Sequence, residues 1–217
     1  TYPDTLSKTQ AEQMAKMQVL LPDALPTGVG HTAKFGIIKG EQGIFTFDAS
    51  KARAYLARTG QGSVTIPTQL NGAIYTVSLA TGVNVDYYQS CTTDHNGKLQ
   101  CSGGTTFSVG EMPAPTIQAS GKNSLNDLRD FMLSLPKLSD SLRHLLQHVD
   151  QNSGIVPVPV IPQENSQDVT IQGAPGLLLS ESNLGSAVIW ESHTIIYMVV
   201  STISDSSQLV QAANSLH

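Results

Sequence analysis

The sequence predicts an α+β protein with a curved, mostly antiparallel sheet, helices packed on one side, and a closing β-hairpin followed by a C-terminal helix. One observation is the predicted order of elements: hairpin, helix, β-rich block, helical pair, hairpin, helix. A second is that Asn-Gly pairs at 71–72 and 96–97 favour tight turns between antiparallel strands. A third is the C-terminal run 185–216, whose pattern is strand, turn, strand and helix.

The second strand of this C-terminal run is predicted to lie at the centre of the fold. Residues 195–200 read Ile-Ile-Tyr-Met-Val-Val without a break. A strand with one wet face alternates apolar and polar residues, so this run predicts burial on both faces inside a sheet. Asp205 can cap the next helix, and Gln208, three residues later, can complete a capping box with it. The helix carries one apolar face: Leu209, Val210, Ala213 and Leu216. We therefore expect it to fold back over the sheet.

The remaining elements follow from periodicity, turns and capping signals. Helices are predicted at Thr5–Leu21, Lys51–Arg58, Ser124–Leu135 and Ser139–Val149. Strands are predicted at Lys34–Lys39, Gly43–Phe47, Ser63–Ile66, Ala73–Leu79, Val83–Gln89, Thr105–Val109, Asp168–Gln172 and Gly176–Ser180. The first two strands are expected to pair as a hairpin. Proline-rich segments 112–115 and 155–162 are expected to be crossover, extended or edge segments, because proline cannot donate to a ladder.

The chain is long enough for one large domain or two small ones. We predict a single domain over residues 1–217, with a subdivision near 111–123 as the alternative.

The composition is typical of a secreted or cell-surface β-rich protein. Charged residues make up 13% of the chain, below the roughly 25% that is usual in soluble domains, and 18 residues are glycine. The net charge of −5 disfavours nucleic acids and anionic membranes as partners, because both are negative themselves. No run approaches the roughly 18 apolar residues of a membrane-spanning helix.

Two features predict an extracytoplasmic location, at the cell surface or secreted. Cys91 and Cys101 flank Asn96-Gly97, so a hairpin folded there brings them opposite one another. We predict a disulfide between them, which requires an oxidising compartment. Metal binding by this pair is the weaker alternative, since two thiolates at this spacing lack the close pairing of zinc sites. The chain also begins at Thr1 rather than Met, so we expect that a signal peptide or membrane anchor was removed.

The sequence contains no motif that assigns a catalytic role. His144 and His148 stand at i and i+4 on a predicted helix, which makes them weak candidates for a metal site. The residues between them lack the glutamate that a metalloprotease helix uses as a base. No serine stands in Gly-x-Ser-x-Gly, and no glycine-rich phosphate or dinucleotide pattern occurs. We therefore predict a protein that is not an enzyme and that needs no cofactor.

Aromatic residues are the better candidates for recognition. Tyr87, Tyr88 and Trp190 fall on predicted strands, and aromatic side chains on an open sheet face can hold a ligand or a partner protein. Packing in the core and on the sheet surface is the alternative for the same residues.

Four C-terminal segments share a pattern with a known group of proteins. They are Val169–Gly173, Ala187–Glu191, Ile195–Val200 and Ala212–Leu216. In order, they read as a strand with a glycine, a strand ending near Trp, a strand through Tyr, and a helix ending Ala-Asn-Ser-Leu. This pattern resembles the extracytoplasmic domains of membrane-anchored bacterial proteins of the anti-sigma-factor-associated type. More loosely, it is similar to the lipoprotein-carrier fold. The resemblance implies an antiparallel sheet with helices on one side, and it defines no catalytic residues.

These observations support one main hypothesis and two alternatives. The main hypothesis is a non-enzymatic extracytoplasmic sensor or binding domain of a membrane-anchored bacterial protein. The first alternative is a carrier of an apolar ligand, held between the sheet and the helical pair 124–149. The second is a hydrolase that uses His193 or His144. The expected partner is a protein or a small apolar molecule.

Overall fold

The structure is a computed structural model, and its described residues have an α+β fold. They are 6–93, 99–120, 125–138, 143, 146, 166–181, 185–202 and 205–217. Every pair of strands among them is antiparallel. The fold class predicted from the sequence is therefore confirmed, including the closing hairpin and the C-terminal helix.

The elements are numbered in chain order. The helices are α1 (Lys8–Ala15), α2 (Ala49–Arg58), α3 (Leu125–Leu133) and α4 (Ser206–Asn214). The strands are β1 (Ala33–Ile38), β2 (Gln42–Thr46), β3 (Ile74–Ser78), β4 (Gly82–Thr93), β5 (Leu99–Pro113), β6 (Thr116–Ser120), β7 (Ser166–Ile171), β8 (Ala174–Glu181), β9 (Gly185–Ser192) and β10 (Ile195–Ser201).

The chain divides into two compact units. The first comprises 1–39, 81–113 and 163–217, and its sheet has seven strands in the order β1-β4-β5-β10-β9-β8-β7. The second comprises 40–80 and 114–162, and its sheet has three strands in the order β2-β3-β6. The prediction of a single domain over 1–217, or of a boundary near 111–123, stays a prediction.

The C-terminal hairpin lies inside the seven-stranded sheet, as predicted, because β10 pairs with β5 on one side and with β9 on the other. The prediction that β10 is buried on both faces is wrong. Tyr197 and Val199 are buried on the inner face, whereas Met198 is 40% exposed on the opposite face. An unbroken apolar run cannot reveal this difference, because apolar residues also cover much of an ordinary protein surface.

The final helix covers the inner face, as predicted. Asp205 caps α4 by accepting from the backbone N–H groups of Ser207 and Gln208, and the Gln208 side chain donates back to the Asp205 carboxylate at 2.8 Å. Leu209 and Ala213 are fully buried in the core of the first unit. This core also includes Ala11 and Ala15 of α1.

Two predictions about the N-terminal half are wrong. The first helix is shorter than Thr5–Leu21, because Lys16 takes a left-handed conformation (φ 55°) and the Glu12 side chain accepts the N–H of Val19 at 3.1 Å. The first hairpin does not form, because β1 pairs with β4 and β2 pairs with β3. Side-chain periodicity predicts these strands well, but it carries no information about which distant strand each one joins.

Other segments differ in smaller ways. Residues 63–66 form no strand; Val64 instead closes a turn by donating to the Gln61 carbonyl. Strand β5 runs on to Pro113, so only Ala114 and Pro115 of the predicted crossover connect it to β6. The segment 155–162 and most of the predicted helix 139–149 lie outside the described residues.

Candidate functional site

A row of paired residues crosses the inner face of the seven-stranded sheet. In register, Val83 pairs with Glu111, Glu111 with Tyr197, Tyr197 with Trp190, and Trp190 with Gly176. Directly paired residues point to the same face of a sheet. These five positions therefore form one line across the middle of the sheet, which we call the central row.

The aromatic members of the central row pack closely. The Trp190 and Tyr197 rings stack with centroids 5.1 Å apart and planes at 16°. Gly176 leaves room beside them, since a Cβ there would lie 3.2 Å from the Cβ of Trp190. Trp190 is 2% exposed, and its indole N–H has no hydrogen-bond partner among the described residues. A buried donor of this kind costs free energy relative to a paired one.

The predicted recognition residues are not brought together on an open sheet face. Tyr87 and Trp190 are buried, and β5 and β10 lie between the strands that carry them. Tyr87 packs edge-on against Phe107, with centroids 5.6 Å apart. Tyr88 is half-buried, and its carbonyl accepts the N–H of Gly30 at 3.0 Å. A role for Tyr87, Tyr88 and Trp190 in ligand binding stays a prediction.

Glu111 is the polar member of the central row, and it is not among the site residues predicted from the sequence. Its side chain is completely buried, and both carboxylate oxygens face the backbone N–H of Leu20, at 2.9 and 3.2 Å. Burial raises the pKa of Glu111 to about 7, although the Leu20 hydrogen bond and the charge of Lys8 act in the opposite direction. Glu12 also raises this pKa through its negative charge.

The charge of Glu111 also affects the neighbouring tyrosines. Burial is the main reason that the pKa of Tyr87 is raised to about 12, and the Glu111 carboxylate adds to the shift. The same two causes raise the pKa of Tyr197. The titratable groups that interact electrostatically with Glu111 are therefore Lys8 and Glu12 from α1, Tyr87 from β4 and Tyr197 from β10.

Leu20 belongs to a segment that we call the strap, residues 19–27, which joins α1 to the rest of the first unit. The strap is hydrogen-bonded to the C-terminal end of the chain. Leu21 and His217 exchange two backbone hydrogen bonds, at 3.1 and 3.2 Å, and the Thr27 N–H donates to the Gln208 side chain at 2.7 Å. Glu111 links the strap to the centre of the sheet by a hydrogen bond.

The predicted disulfide is confirmed. Cys91 and Cys101 are bonded and lie directly opposite one another on β4 and β5, with Cα atoms 4.1 Å apart. Residues 94–98, which include the predicted Asn-Gly turn, lie outside the described residues.

The histidine candidates lead to no assigned chemistry. His193 and Thr194 form the β9–β10 turn with φ of 50° and 65°, and the Ser192 hydroxyl lies 2.9 Å from His193 Nδ1. His144 and His148 lie outside the described residues. Within the described part of the chain, no three His, Cys, Asp or Glu side chains are placed to hold a metal ion. The absence of catalysis and the hydrolase alternative both stay predictions.

Comparisons with known proteins add no assignment. No protein-family model, curated protein or solved structure matches this chain. The resemblance to anti-sigma-factor-associated domains therefore stays a prediction. Over the ranges that the structure describes, no helix combines the length and the apolar character needed to span a bilayer.

Proposed function

We propose that this chain is a non-enzymatic extracytoplasmic sensor and binding domain whose responsive element is the strap. The observation that carries the proposal is the contact between the buried Glu111 carboxylate and the Leu20 N–H. A titratable group at the centre of the sheet is thereby connected to the strap, a partly buried segment without regular secondary structure. A change in the proton concentration outside the cell can then alter how firmly the strap is held.

The cellular location is supported by the disulfide. Cys91–Cys101 forms readily only in an oxidising compartment, and the low charged fraction of 13% agrees with a secreted or surface protein. Attachment to a membrane through an upstream anchor belongs to the same proposal. Topology mapping of the full-length parent protein tests it, and a cytosolic location for this segment would rule it out.

The direction of the response follows from linkage. The carboxyl of Glu111 has a pKa of about 7 when the strap is closed, against a reference value of 4.5 for a glutamate in water. Opening the strap would hydrate the carboxylate and return its pKa towards the reference value. The open state therefore binds fewer protons between these two values, so opening becomes easier as the pH rises from 4.5 to 7.

Amide hydrogen exchange on the intact chain tests this mechanism. After correction for the intrinsic exchange rate, the opening constant of the Leu20 amide should rise between pH 4.5 and pH 8. The expected rise is on the order of a hundred-fold, which follows from the size of the pKa shift. The Val109 amide in β5 serves as an internal reference for global unfolding.

Glu111→Gln is the matched variant, because it keeps the shape and the acceptor oxygen of the side chain but cannot ionise. In this variant, the opening constant of the Leu20 amide should change little with pH. If the wild type and Glu111→Gln have the same pH profile, or if Leu20 opens only together with Val109, the strap is not a responsive element.

The carrier alternative lacks support from the described residues. It places a ligand between the sheet and the helical pair 124–149. In the second unit, however, α3 packs Phe131 edge-on against Phe47, with centroids 5.8 Å apart, and both rings belong to that unit's own core. Most of residues 139–149 lie outside the described part of the chain. The carrier hypothesis therefore stays a prediction.

A further inference from the structure

Strand β2 is an exposed edge of the three-stranded sheet. Among the described strands it pairs only with β3, and all of its five residues are exposed. Ile44 is 77% exposed and Phe45 is 44% exposed. Ile74 of β3, which is 42% exposed, lies on the same sheet face as Ile44, because Ile44 pairs with Thr76, two residues further along β3.

The backbone of β2 shows which groups face outwards. At one end, Glu41 and Leu79 exchange both backbone hydrogen bonds, and at the other end the Phe47 N–H donates to the Ala73 carbonyl. Hydrogen-bonded positions alternate along an antiparallel pair. The odd-numbered residues of β2 therefore bond to β3. The N–H and C=O groups of Gln42, Ile44 and Thr46 point away from the sheet, where no described strand pairs with them.

Other sheet edges in the described structure are protected, and β2 is not. In β1, Lys34 adds a charge and Phe35 makes a β-bridge to Leu6 on the outer side. In β7, Asp168 is exposed on the edge. Strand β6 follows directly after Pro115 and packs against α3. Charges, prolines and covering segments are the usual ways in which proteins keep edge strands from pairing. Strand β2, with the sequence Gln-Gly-Ile-Phe-Thr, has neither a charge nor a proline.

We infer that β2 is a pairing edge for a second copy of this chain, with the two β2 strands antiparallel and Ile44 opposite Ile44. This inference does not depend on the strap. In this register every outward backbone group finds a partner, because Gln42 faces Thr46 and Ile44 faces itself. Shifting the register by two residues leaves some of these groups unpaired.

The side chains of β2 are self-complementary in the same register. Phe45 comes to lie across from Gly43 of the second copy. A Cβ at Gly43 would meet no atom within 4 Å, so a ring can cover this bare backbone. Aromatic residues opposite glycine stabilise edge strands in this way. The Ile44 side chains face each other on the outer face, where cross-strand apolar pairs are favourable.

The flanking charges do not oppose this arrangement. Glu41 falls opposite Phe47 of the second copy, and Asp48 falls opposite Gly40. No two acidic residues therefore face each other directly, whereas like charges placed opposite would destabilise the pair.

Sedimentation equilibrium of the intact chain over a range of concentrations tests the inference. The wild type should form a dimer that dissociates on dilution. Thr46→Pro removes only an outward N–H and leaves the bonds of β2 to β3 intact. It should weaken the dimer about tenfold or more, since each copy loses one hydrogen bond. The matched control is Ile74→Thr, which removes an exposed isoleucine from the same face but leaves the edge of β2 unchanged.

Disulfide capture tests the register. The paired Cα atoms of a hydrogen-bonded position are about 5.5 Å apart, within the range that a disulfide spans. Under mild oxidation Ile44→Cys should give a covalent dimer, whereas Ile74→Cys should not. Equal crosslinking at both positions, or equal weakening by Thr46→Pro and Ile74→Thr, would indicate non-specific apolar contact and overturn the inference.

A monomeric wild type at the highest soluble concentration would also overturn it. If that monomer still bound a synthetic peptide copy of residues 40–48, the edge would be assigned to a strand of another protein.

Discussion

The two units each break the usual distribution of polar and apolar residues, in opposite ways. The first unit buries Glu111 completely in the middle of its sheet, whereas the second leaves Ile44 77% exposed at its edge. Buried polar groups and exposed large apolar groups are the placements that need an explanation, since each costs free energy or solubility. The buried carboxylate supports the proposal that the first unit responds to pH, and the exposed edge strand supports the inference that the second unit pairs with another copy of the chain.

Buried Glu111 and exposed Ile44 affect the stability of the protein differently. A buried carboxylate lowers the free energy of unfolding wherever it must be charged, so Glu111 influences the fold itself. An exposed isoleucine is in contact with water in both the folded and unfolded states, so Ile44 contributes little to folding. The substitutions below test this difference.

The largest expected effect on the free energy of unfolding comes from truncating a buried side chain in the core of the first unit. Leu209 of α4 is completely buried, and Leu209→Ala should lower the free energy of unfolding by about 2–5 kcal/mol through lost burial and a cavity. Ile44→Ala should change it by less than about 0.5 kcal/mol. Urea unfolding of the monomer measures the change in the free energy of unfolding for both variants. Comparable losses for the two variants would mean that Ile44 is packed in solution and that the contrast between the units is wrong.

The second prediction concerns the pH dependence of stability. Folded Glu111 has a pKa of about 7, against 4.5 for an exposed glutamate, so the folded state holds a proton that the unfolded state has lost between these values. The contribution of this group to stability is therefore complete below pH 4.5 and is lost as the pH rises through 7. The loss is roughly 3 kcal/mol, and Glu111→Gln should abolish it.

Urea unfolding at pH 5 and pH 8 measures this loss. The matched control is Glu191→Gln in β9. Burial also raises the pKa of Glu191, which is half-buried, but no hydrogen bond among the described residues joins Glu191 to the strap. The control should keep most of the wild-type dependence on pH. If Glu111→Gln keeps it as well, the carboxylate is not the group responsible.

The sequence predicts some of these features and not others, for physical reasons. The α4 cap can be predicted from the sequence because Asp205 and its partner Gln208 are three residues apart. The disulfide can be predicted because its two cysteines flank a turn. Glu111 was missed because its burial depends on Leu20, which is 91 residues away, and because β5 continues beyond the predicted end at Val109.

Strand pairing, like the burial of Glu111, depends on residues that are distant in the sequence. The pattern of 43–47 predicts a strand correctly, but whether it pairs with β1 or β3 depends on distant segments. The alternation of Phe107, Val109 and Glu111 on one strand face, once extended, would have placed the carboxylate inwards. Local signals thus predict the elements and their caps, while the candidate site and the free edge arise from long-range packing.

The third prediction tests the disulfide of the first unit. Replacing Cys91 and Cys101 together by serine should lower the free energy of unfolding by roughly 2–3 kcal/mol, because a short loop in the unfolded chain is no longer closed. Reduction of the wild type should reproduce the loss. The oligomeric state should not change, since the bond lies outside β2. A dimer that disappears with the disulfide would show that the two units are coupled.

The smallest expected effect compares one helix cap in each unit. Asp48 accepts from the N–H groups of Ser50 and Lys51 at the start of α2, and Asp205 does the same at the start of α4. Asp48→Ala and Asp205→Ala should each lower the unfolding temperature slightly, and by less than Leu209→Ala does. The hydroxyls of Ser50 and Ser207 are the main reason that the pKa of each carboxyl is lowered.

These lowered pKa values set the pH range in which the caps act. Each aspartate contributes its stability above the unfolded value of 3.8, and the contribution is lost as the pH falls through the lowered folded value. Thermal unfolding at pH 7 and pH 3 should therefore show a smaller difference between wild type and variant in acid. If both caps behave alike, the local capping chemistry is common to both units. If Glu111→Gln also changes stability only near neutral pH, the neutral-pH response belongs to the strap alone.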